Sequence, residues 1–409
     1  MKCRFCSSEL KHEFIDLGMS PPSNSYLSKD DLNKEEVYFP LKLWLCENCF
    51  LVQIDEYKSA REIFNNDYAY FSSYSSTWLN HAKNYVDMIT DRLLLNEKSN
   101  VVEIASNDGY LLQNFKKKNI PCLGIEPTNN TAQVAINKGI ETLIDYFTFE
   151  LSNKIIKERG KFDLILGNNV FAHVPNINDF VAGLKNLLGD KGTITLEFPH
   201  LLQLMGNNQF DTIYHEHFWY FSLFALKTVF ETHHLRIYDV EELPTHGGSL
   251  RLFVKHQHDI SKSITENVKQ VLNKEIEKGI KNISYYSTFA ERIKKIKIDT
   301  LEFLIEKRKK GETIAAYGAA AKGNTFLNYC GIKNDFIDFV VDASPHKQGK
   351  FLPGSHIPIV NEEFVKLNKP NYILILPWNI KEEIFNQLDY IKEWGGRFII
   401  SIPSLEVTI

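Results

Sequence analysis

No stretch of this chain stays apolar for the roughly 18–20 residues that crossing a bilayer requires. The start, Met1-Lys2-Cys3-Arg4-Phe5-Cys6, lacks the apolar core of a secretory signal. Neither sign of charge dominates, since 47 Lys and Arg against 51 Asp and Glu leave a formal net charge of −4. So small an imbalance argues against a nucleic-acid or membrane surface as the main partner. The two standard phosphate-binding signatures, G-x-G-x-x-G and G-x-x-x-x-G-K-[ST], are also missing. No long coiled-coil pattern points to an assembly, and the oligomeric state is open. These absences are those of a cytoplasmic chain whose six cysteines stay reduced.

What is there is globular in composition. Hydrophobic residues make up 44% and charged residues 24%, enough for a packed core. A length of 409 residues predicts two or three domains rather than one.

Four cysteines form two pairs, Cys3-x-x-Cys6 and Cys46-x-x-Cys49. Each such turn sets two thiolates side by side, and two turns complete a tetrahedral site for Zn²⁺. Disulfides do not suit the compartment, and a redox motif needs only one pair. Four protein thiolates leave no open coordination position, so this zinc folds a small domain and does no chemistry. Cys122 and Cys330 read as core residues. Between the pairs, Asp16–Ser25 is turn-rich and Lys42–Leu45 alternates like a strand. Beyond residue 65, Asp67–Ser76 is rich in tyrosine and serine and reads as a lid or pocket wall.

In the middle, Asn100–Leu112 reads as strand, tight loop and helix, with Glu103 near the strand end and small residues in Ser106-Asn107-Asp108-Gly109. A second strand ends in Glu126, placed to accept hydrogen bonds from a ribose. Further strands are predicted at Phe162–Asn169 and Gly192–Pro199. Near the C-terminus, Thr313–Thr325 is another strand and small-residue loop opening a helix, where backbone N–H groups favour anions and Lys322 adds a point charge suited to phosphate. A strand ending in Asp342 and a basic turn, Ser344–Lys350, come after it, and a third strand is predicted at Asn371–Trp378. Residues 260–310 carry helical periodicity, and their Lys/Arg clusters alternate with acids as on a solvated face.

The densest chemistry lies in Ile213–Phe221, where Tyr214-His215-Glu216-His217 packs a phenol, two imidazoles and a carboxylate ahead of aromatic residues. That mixture suits a half-buried pocket where protons move. His215 reads as structural, as do His233 and His234 at a helix end.

The strand-end acids and Asn168-Asn169-Val170-Phe171-Ala172-His173-Val174 resemble class I S-adenosylmethionine-dependent methyltransferases. This resemblance implies that the loop with Glu103, Asn107 and Gly109 faces the methionine part of the cofactor. It further implies that Glu126 holds the ribose, Asp145 contacts the adenine and Asn168 lies beside the sulfonium. As a whole the chain resembles the sugar C-methyltransferases that act on nucleotide-linked 4-keto-6-deoxy sugars. The matching pieces are the cysteine pairs, Val102–Gly109, Tyr214–Phe218, His246-Gly247-Gly248-Ser249-Leu250-Arg251 and Gly318–Gly323.

The resemblance implies an α/β multidomain chain. A zinc-binding domain is expected over residues 1–65, a class I methyltransferase domain with a Rossmann-like sheet over 66–258, and a second Rossmann-like domain that helps grip a nucleotide-diphosphate sugar over 259–409. The family implies that His217 deprotonates the sugar carbon, expected to be C3, while Glu216 or Tyr214 orients it or holds the sugar. His173 is expected to polarise the C4 ketone, and Tyr70 to close over the sugar. Gly318, Lys322, Asn324, Asp342, Lys347 and Arg251 are the expected substrate contacts. Rival expectations are a sugar O- or N-methyltransferase and a nicotinamide-dependent oxidoreductase of nucleotide sugars.

Overall fold

The computed structural model describes residues 1–57 and 71–408. Three sheets organise them. The first is a four-stranded sheet in the order β1-β2-β3-β9, built from β1 (His12–Ser20), β2 (Phe39–Leu45), β3 (Val52–Ile54) and β9 (Trp219–Tyr220). Asp16–Ser20, predicted as turn, is the bulged end of β1. The register slips between Asp16 and Met19, and Gly18 takes a φ of 79° that a side chain would resist.

The second sheet has seven strands. Five are parallel: β4 (Val101–Ile104), β5 (Cys122–Ile125), β6 (Thr142–Leu143), β7 (Phe162–Asn168) and β8 (Leu188–Pro199). A hairpin of β10 (Leu235–Leu243) and β11 (Ser249–His256) extends it, with β11 antiparallel to β8, giving the order β10-β11-β8-β7-β4-β5-β6. Every residue of β4 is buried, as a parallel strand covered on both faces requires. The helix Ser76–Leu93 packs on this sheet through Ala82, Tyr85, Val86 and Ile89, the i, i+3, i+4, i+7 stripe of an amphipathic helix. Ser75 caps its first turn by accepting from the Trp78 N–H.

The third sheet runs β14-β13-β12-β15-β16-β17, from β12 (Ile314–Tyr317), β13 (Val340–Val341), β14 (Ile359–Val360), β15 (Tyr372–Ile375), β16 (Arg397–Ile400) and β17 (Glu406–Thr408). All pairs are parallel except β16 with β17.

These layers share segments. Strand β9, which comes directly after the Tyr-His-Glu-His stretch, completes the sheet of the cysteine domain by pairing Tyr220 with Val52 and Trp219 with Gln53. Residues 21–36 leave that domain and lie against the last one: Leu27 bridges Phe351, Tyr26 Oη donates to the Ala319 carbonyl at 2.6 Å, and Glu36 accepts from the Gly354 N–H at 2.7 Å. From the helix Glu266–Lys278, the fully buried Glu275 reaches back to cap the helix Leu223–Thr232, accepting from the N–H groups of Leu223 and Phe224 at 2.7 Å each. None of the helices is long and apolar enough to cross a membrane among the described residues.

Candidate active site

The four cysteine Sγ atoms lie within 4.8 Å of one another, with separations of 3.7 Å for Cys3–Cys49, 3.5 Å for Cys6–Cys46 and 3.7 Å for Cys6–Cys49. A tetrahedron with Zn–S bonds of about 2.3 Å has edges of about 3.8 Å, so this donor set fits Zn²⁺ closely. Gln53 Nε2 donates to Cys3 Sγ at 3.2 Å, and the Arg4 N–H donates to Gln53 Oε1 at 3.1 Å. Arg4 in turn donates to the Ile54 and Phe218 carbonyls at 2.5 and 3.3 Å and lies 4.7 Å over the Trp219 ring. The metal site is thus braced against the residues just after His217.

At the end of β4 the chain turns through three left-handed residues, Ala105, Asn107 and Gly109, at φ 57°, 49° and 74°. Only glycine serves at the last, because a Cβ there would collide with Ile140 and Ala135. Gly109 therefore works by letting the loop close on its neighbours. Asn107 Oδ1 accepts from the Ser72 N–H at 2.9 Å. Glu126 accepts from the Asn107 and Thr128 N–H groups at 2.8 and 2.9 Å, which pins the second strand end to the first loop. Both carboxylate oxygens of Glu103, together with Ser106 Oγ and Asn168 Nδ2, are buried with no hydrogen-bond partner among the described residues. Buried polar atoms are nearly always paired, so a cluster of orphans marks where a polar ligand belongs. The acceptors among them, Glu103 and Ser106, suit the ammonium and hydroxyl groups of S-adenosylmethionine, and the Asn168 Nδ2 donor suits an acceptor on it. Asp145, expected at the adenine, is exposed and accepts from its neighbour Tyr146.

Burial, reinforced by the charges of Glu126 and Asp108, holds the Glu103 carboxyl well above its ordinary value of 4.5. A raised carboxyl favours the folded chain when protonated. That contribution is complete below pH 4.5 and is lost as pH rises through the folded-state value. Glu103→Gln should therefore melt with wild type near pH 4.5 and at higher temperature than wild type as pH rises, in thermal unfolding without cofactor. Identical melting curves at about pH 8 would contradict this.

Tyr214, Glu216 and His217 come together on a turn, closed by the His217 N–H donating to the Tyr214 carbonyl at 2.9 Å. The Tyr214 and His217 rings pack at a tilt of 35° with centroids 4.0 Å apart, and His173 meets His217 edge-on at 4.7 Å. His217 Nδ1 donates to the Thr212 carbonyl at 3.1 Å. A carbonyl only accepts, so in the neutral ring Nε2 carries the lone pair. Burial, then the neighbouring His173, holds His217 well below 6.5, so the ring is neutral near pH 7.

His173 is fixed in the same way. Its Nδ1 donates to the Glu216 carbonyl at 2.8 Å, and burial pushes its pKa down to about 4. A neutral ring so tied presents an acceptor at Nε2, which does not match the expected donor to a ketone oxygen. The Glu216 carboxylate accepts from Asn24 Nδ2 at 2.7 Å, so the crossing segment from the cysteine domain holds it. His215 points the other way, donating to the Pro40 carbonyl at 3.2 Å beside the Phe39 and Tyr57 rings. Tyr70 lies outside the described residues. The described end of its segment touches both sides of the cleft: the Ser73 N–H donates to Asp108 at 3.2 Å, and Tyr74 stacks with His346 at 6.3 Å.

From the third sheet, Gly318 ends β12 with φ 94°, packed so closely on Pro377 that a Cβ would clash. Asp342 accepts from the Ala319 N–H at 2.8 Å, and Lys347 Nζ donates to the Ala319 carbonyl at 2.8 Å, so both hold the loop after β12. Two expected substrate contacts do other work. Arg251 is 4% exposed and donates to Glu197 and Glu241 at 2.8 and 2.9 Å, with its guanidinium over the Tyr85 ring. A buried guanidinium paired twice braces β8, β10 and β11 and has no access to a ligand. Asn324 is 1% exposed and donates to the Ser23 carbonyl at 2.5 Å, tying the crossing segment down. Residue type and neighbourhood in sequence do not reveal which way a side chain points.

Sequence reasoning also passed over residues that line this cleft. His246 and Asn169 both adopt φ 54° and are hydrogen-bonded to each other, Nε2 to Nδ2, at 3.0 Å. Two left-handed non-glycine residues in side-chain contact are strained positions that cluster at functional sites. Burial pushes His246 down to about 4. Asp211 accepts from Trp378 Nε1 at 2.7 Å and is raised to about 6 by burial. The signal for His246 was available in His246-Gly247-Gly248, since paired glycines mark a close approach. A Cβ on Gly247 would collide with Trp378 of the third sheet.

A doubly wound sheet with an orphaned polar cluster at its strand ends, beside a four-thiolate metal site, defines an S-adenosylmethionine-dependent methyltransferase with a structural zinc domain. Family models match in the same order: a zinc binding domain over residues 3–64, a methyltransferase domain over 78–240 and a C-methyltransferase C-terminal domain over 244–403. The C-methyltransferase NovU of Streptomyces niveus is 35% identical over 99% of this chain and 96% of its own length, and the chain belongs to that C-methyltransferase family. Among solved structures, an S-adenosylmethionine-dependent methyltransferase from Anabaena variabilis is 18% identical over 42% of this chain and 83% of its own, with a TM-score of 0.35. Magnesium protoporphyrin IX methyltransferase from Synechocystis is 12% identical over 44% of this chain and 80% of its own, with a TM-score of 0.32.

Proposed function

We propose that this enzyme methylates C3 of a nucleoside-diphosphate-linked 4-keto-6-deoxyhexose. The observation that carries this reading is His217, a buried neutral imidazole whose Nδ1 is tied to a carbonyl and whose Nε2 is the basic nitrogen. A carbon next to a ketone is acidic enough for such a base, whereas a hydroxyl or amine acceptor needs no carbon deprotonation. S-adenosylmethionine, held by the loop after β4 and by Glu126, supplies an electrophilic methyl group. His217 Nε2 takes the proton from the sugar carbon. Tyr214, packed against that imidazole, and Glu216, through its carbonyl on His173, keep the two rings in place. His173, tied through Nδ1 to the Glu216 carbonyl, packs edge-on against the His217 ring and helps to hold it. Gly318, Asp342 and Lys347 shape the loop that meets the diphosphate, and Tyr70 belongs to the wall over the sugar.

The test is nuclear magnetic resonance in D₂O with dTDP-4-keto-6-deoxyglucose and GDP-4-keto-6-deoxymannose as probe substrates. Without cofactor, deuterium should enter C3, and with cofactor a methyl group should appear there. A methylated product formed with no exchange at carbon would instead indicate an oxygen or nitrogen acceptor. A nicotinamide-dependent reaction is disfavoured by the loop after β12, which lacks the glycine spacing for a pyrophosphate.

A further inference from the structure

Deprotonating a carbon beside a ketone leaves negative charge on the ketone oxygen, and that charge needs a donor. His173, neutral and bound through Nδ1, does not offer one. Lys322 stands at the first turn of the helix Ala321–Cys330. One turn on, Thr325 Oγ1 donates to the carbonyl of Ile213, the residue before Tyr214, at 2.7 Å, so this helix start is docked on the proton-transfer turn. Lys322 Nζ donates to Asn379 Oδ1 at 2.6 Å and lies 5.0 Å over the Trp378 ring, the same ring that packs on Gly247 beside His246. Burial lowers the Lys322 ammonium from its ordinary value, and the charge of Asp211 acts against that to keep it protonated. The side chain is half-buried by area.

Resting on the carbon-acid reading above, we infer that Lys322 is a catalytic residue whose ammonium binds the ketone oxygen and neutralises the enolate, rather than a grip on the diphosphate. The docking of Thr325 on the Ile213 carbonyl and the Trp378 ring shared with Gly247 set it beside that turn, and its charge also acts to lower His217 and His246. The electron balance is simple. As the C3–H bond breaks, the proton goes to His217 Nε2 and the electron pair delocalises onto the ketone oxygen beside Lys322, which keeps its own protons. As the new C–C bond forms, that pair returns to carbon, the C–S bond breaks with its electrons on sulfur, and His217 releases its proton to water.

The experiment measures deuterium exchange at C3 under saturating probe sugar, together with the dissociation constants of dTDP and GDP, for wild type, Lys322→Met and Lys322→Arg. Loss of one oxyanion donor typically lowers rate by about 10²–10³-fold. Lys322→Met should lose saturated exchange and methyl transfer by that factor with nucleotide affinity within threefold, and Lys322→Arg should recover most of both. Saturated exchange within threefold of wild type in Lys322→Met, with weakened nucleotide binding, overturns the inference in favour of phosphate binding. Should Lys322→Met melt abnormally, Lys322→Gln against Lys322→Arg makes the same comparison. Absence of exchange in wild type with both sugars would instead overturn the carbon-acid reading itself.

Discussion

His217→Asn is expected to lower methyl transfer by about 10²–10⁴-fold, the range that a positioned base contributes. Asparagine is the informative replacement because its amide N–H can still reach the Thr212 carbonyl, now held by Nδ1 at 3.1 Å. The turn then stays closed while the basic lone pair is gone. Deuterium exchange at C3 should fall in parallel, and S-adenosylmethionine affinity by calorimetry should not change. If exchange survives at the wild-type rate, Tyr214 becomes the base to examine. Wild type makes a matching prediction in pH. Burial holds His217 well below 6.5, so the neutral base persists as the medium is acidified. The His217 contribution to kcat/KM should therefore remain flat through pH 6.5, where an ordinary histidine would already be losing it. An inflection at that pH, absent in His217→Asn, would contradict the assigned burial.

Cys46→Ser is the second large effect. Structural zinc contributes roughly 10–16 kcal/mol of apparent binding free energy in small zinc modules, and in such modules this is folding free energy. Cys46 is buried between Leu45 at the end of β2 and the turn to β3, so loss of metal should unravel both strands. The consequence reaches further than a small domain. Among the described residues β9 is the edge of that sheet and pairs there with β3, and Trp219 and Phe218 lie against Arg4. Zinc loss should therefore release the segment that carries Tyr214, Glu216 and His217. Elemental analysis should find one equivalent of zinc in wild type and much less in Cys46→Ser. The variant should unfold at a lower temperature than wild type and lose nearly all methyl transfer. A zinc-free variant with full activity and unchanged melting would sink the coupling. Four thiolates leave the metal no chemistry of its own, yet its domain braces the turn that carries Tyr214, Glu216 and His217, and the spacing of the cysteines gives no sign of that second role.

The pieces legible in the sequence share one property: each is short and local. Cys-x-x-Cys is a turn whose geometry comes from its spacing. The burial of Val101–Ile104 follows from its apolar run, and the left-handed loop after it from its small residues and Gly109. Tyr214-His215-Glu216-His217 advertised proton chemistry by composition, and the structure separates His215 from the others by turning it toward Pro40. The errors lie where side-chain direction decides. Arg251 and Asn324 looked like ligand contacts because charged and amide groups near motifs often are. Folding buries them against Glu197, Glu241 and Ser23, partners at least 10 residues away along the chain.

The sequence by itself determined the metal ligands, the doubly wound sheets and the local groups able to move a proton, because those depend on spacing and on the chemistry of neighbouring residues. Only the tertiary structure decided that β9 belongs to the zinc sheet, that Asn24 holds Glu216, and that the helix Ala321–Cys330 docks through Thr325 on the Ile213 carbonyl beside Tyr214. Those contacts join residues far apart in the chain. They are set by how whole sheets pack, and no local pattern encodes that.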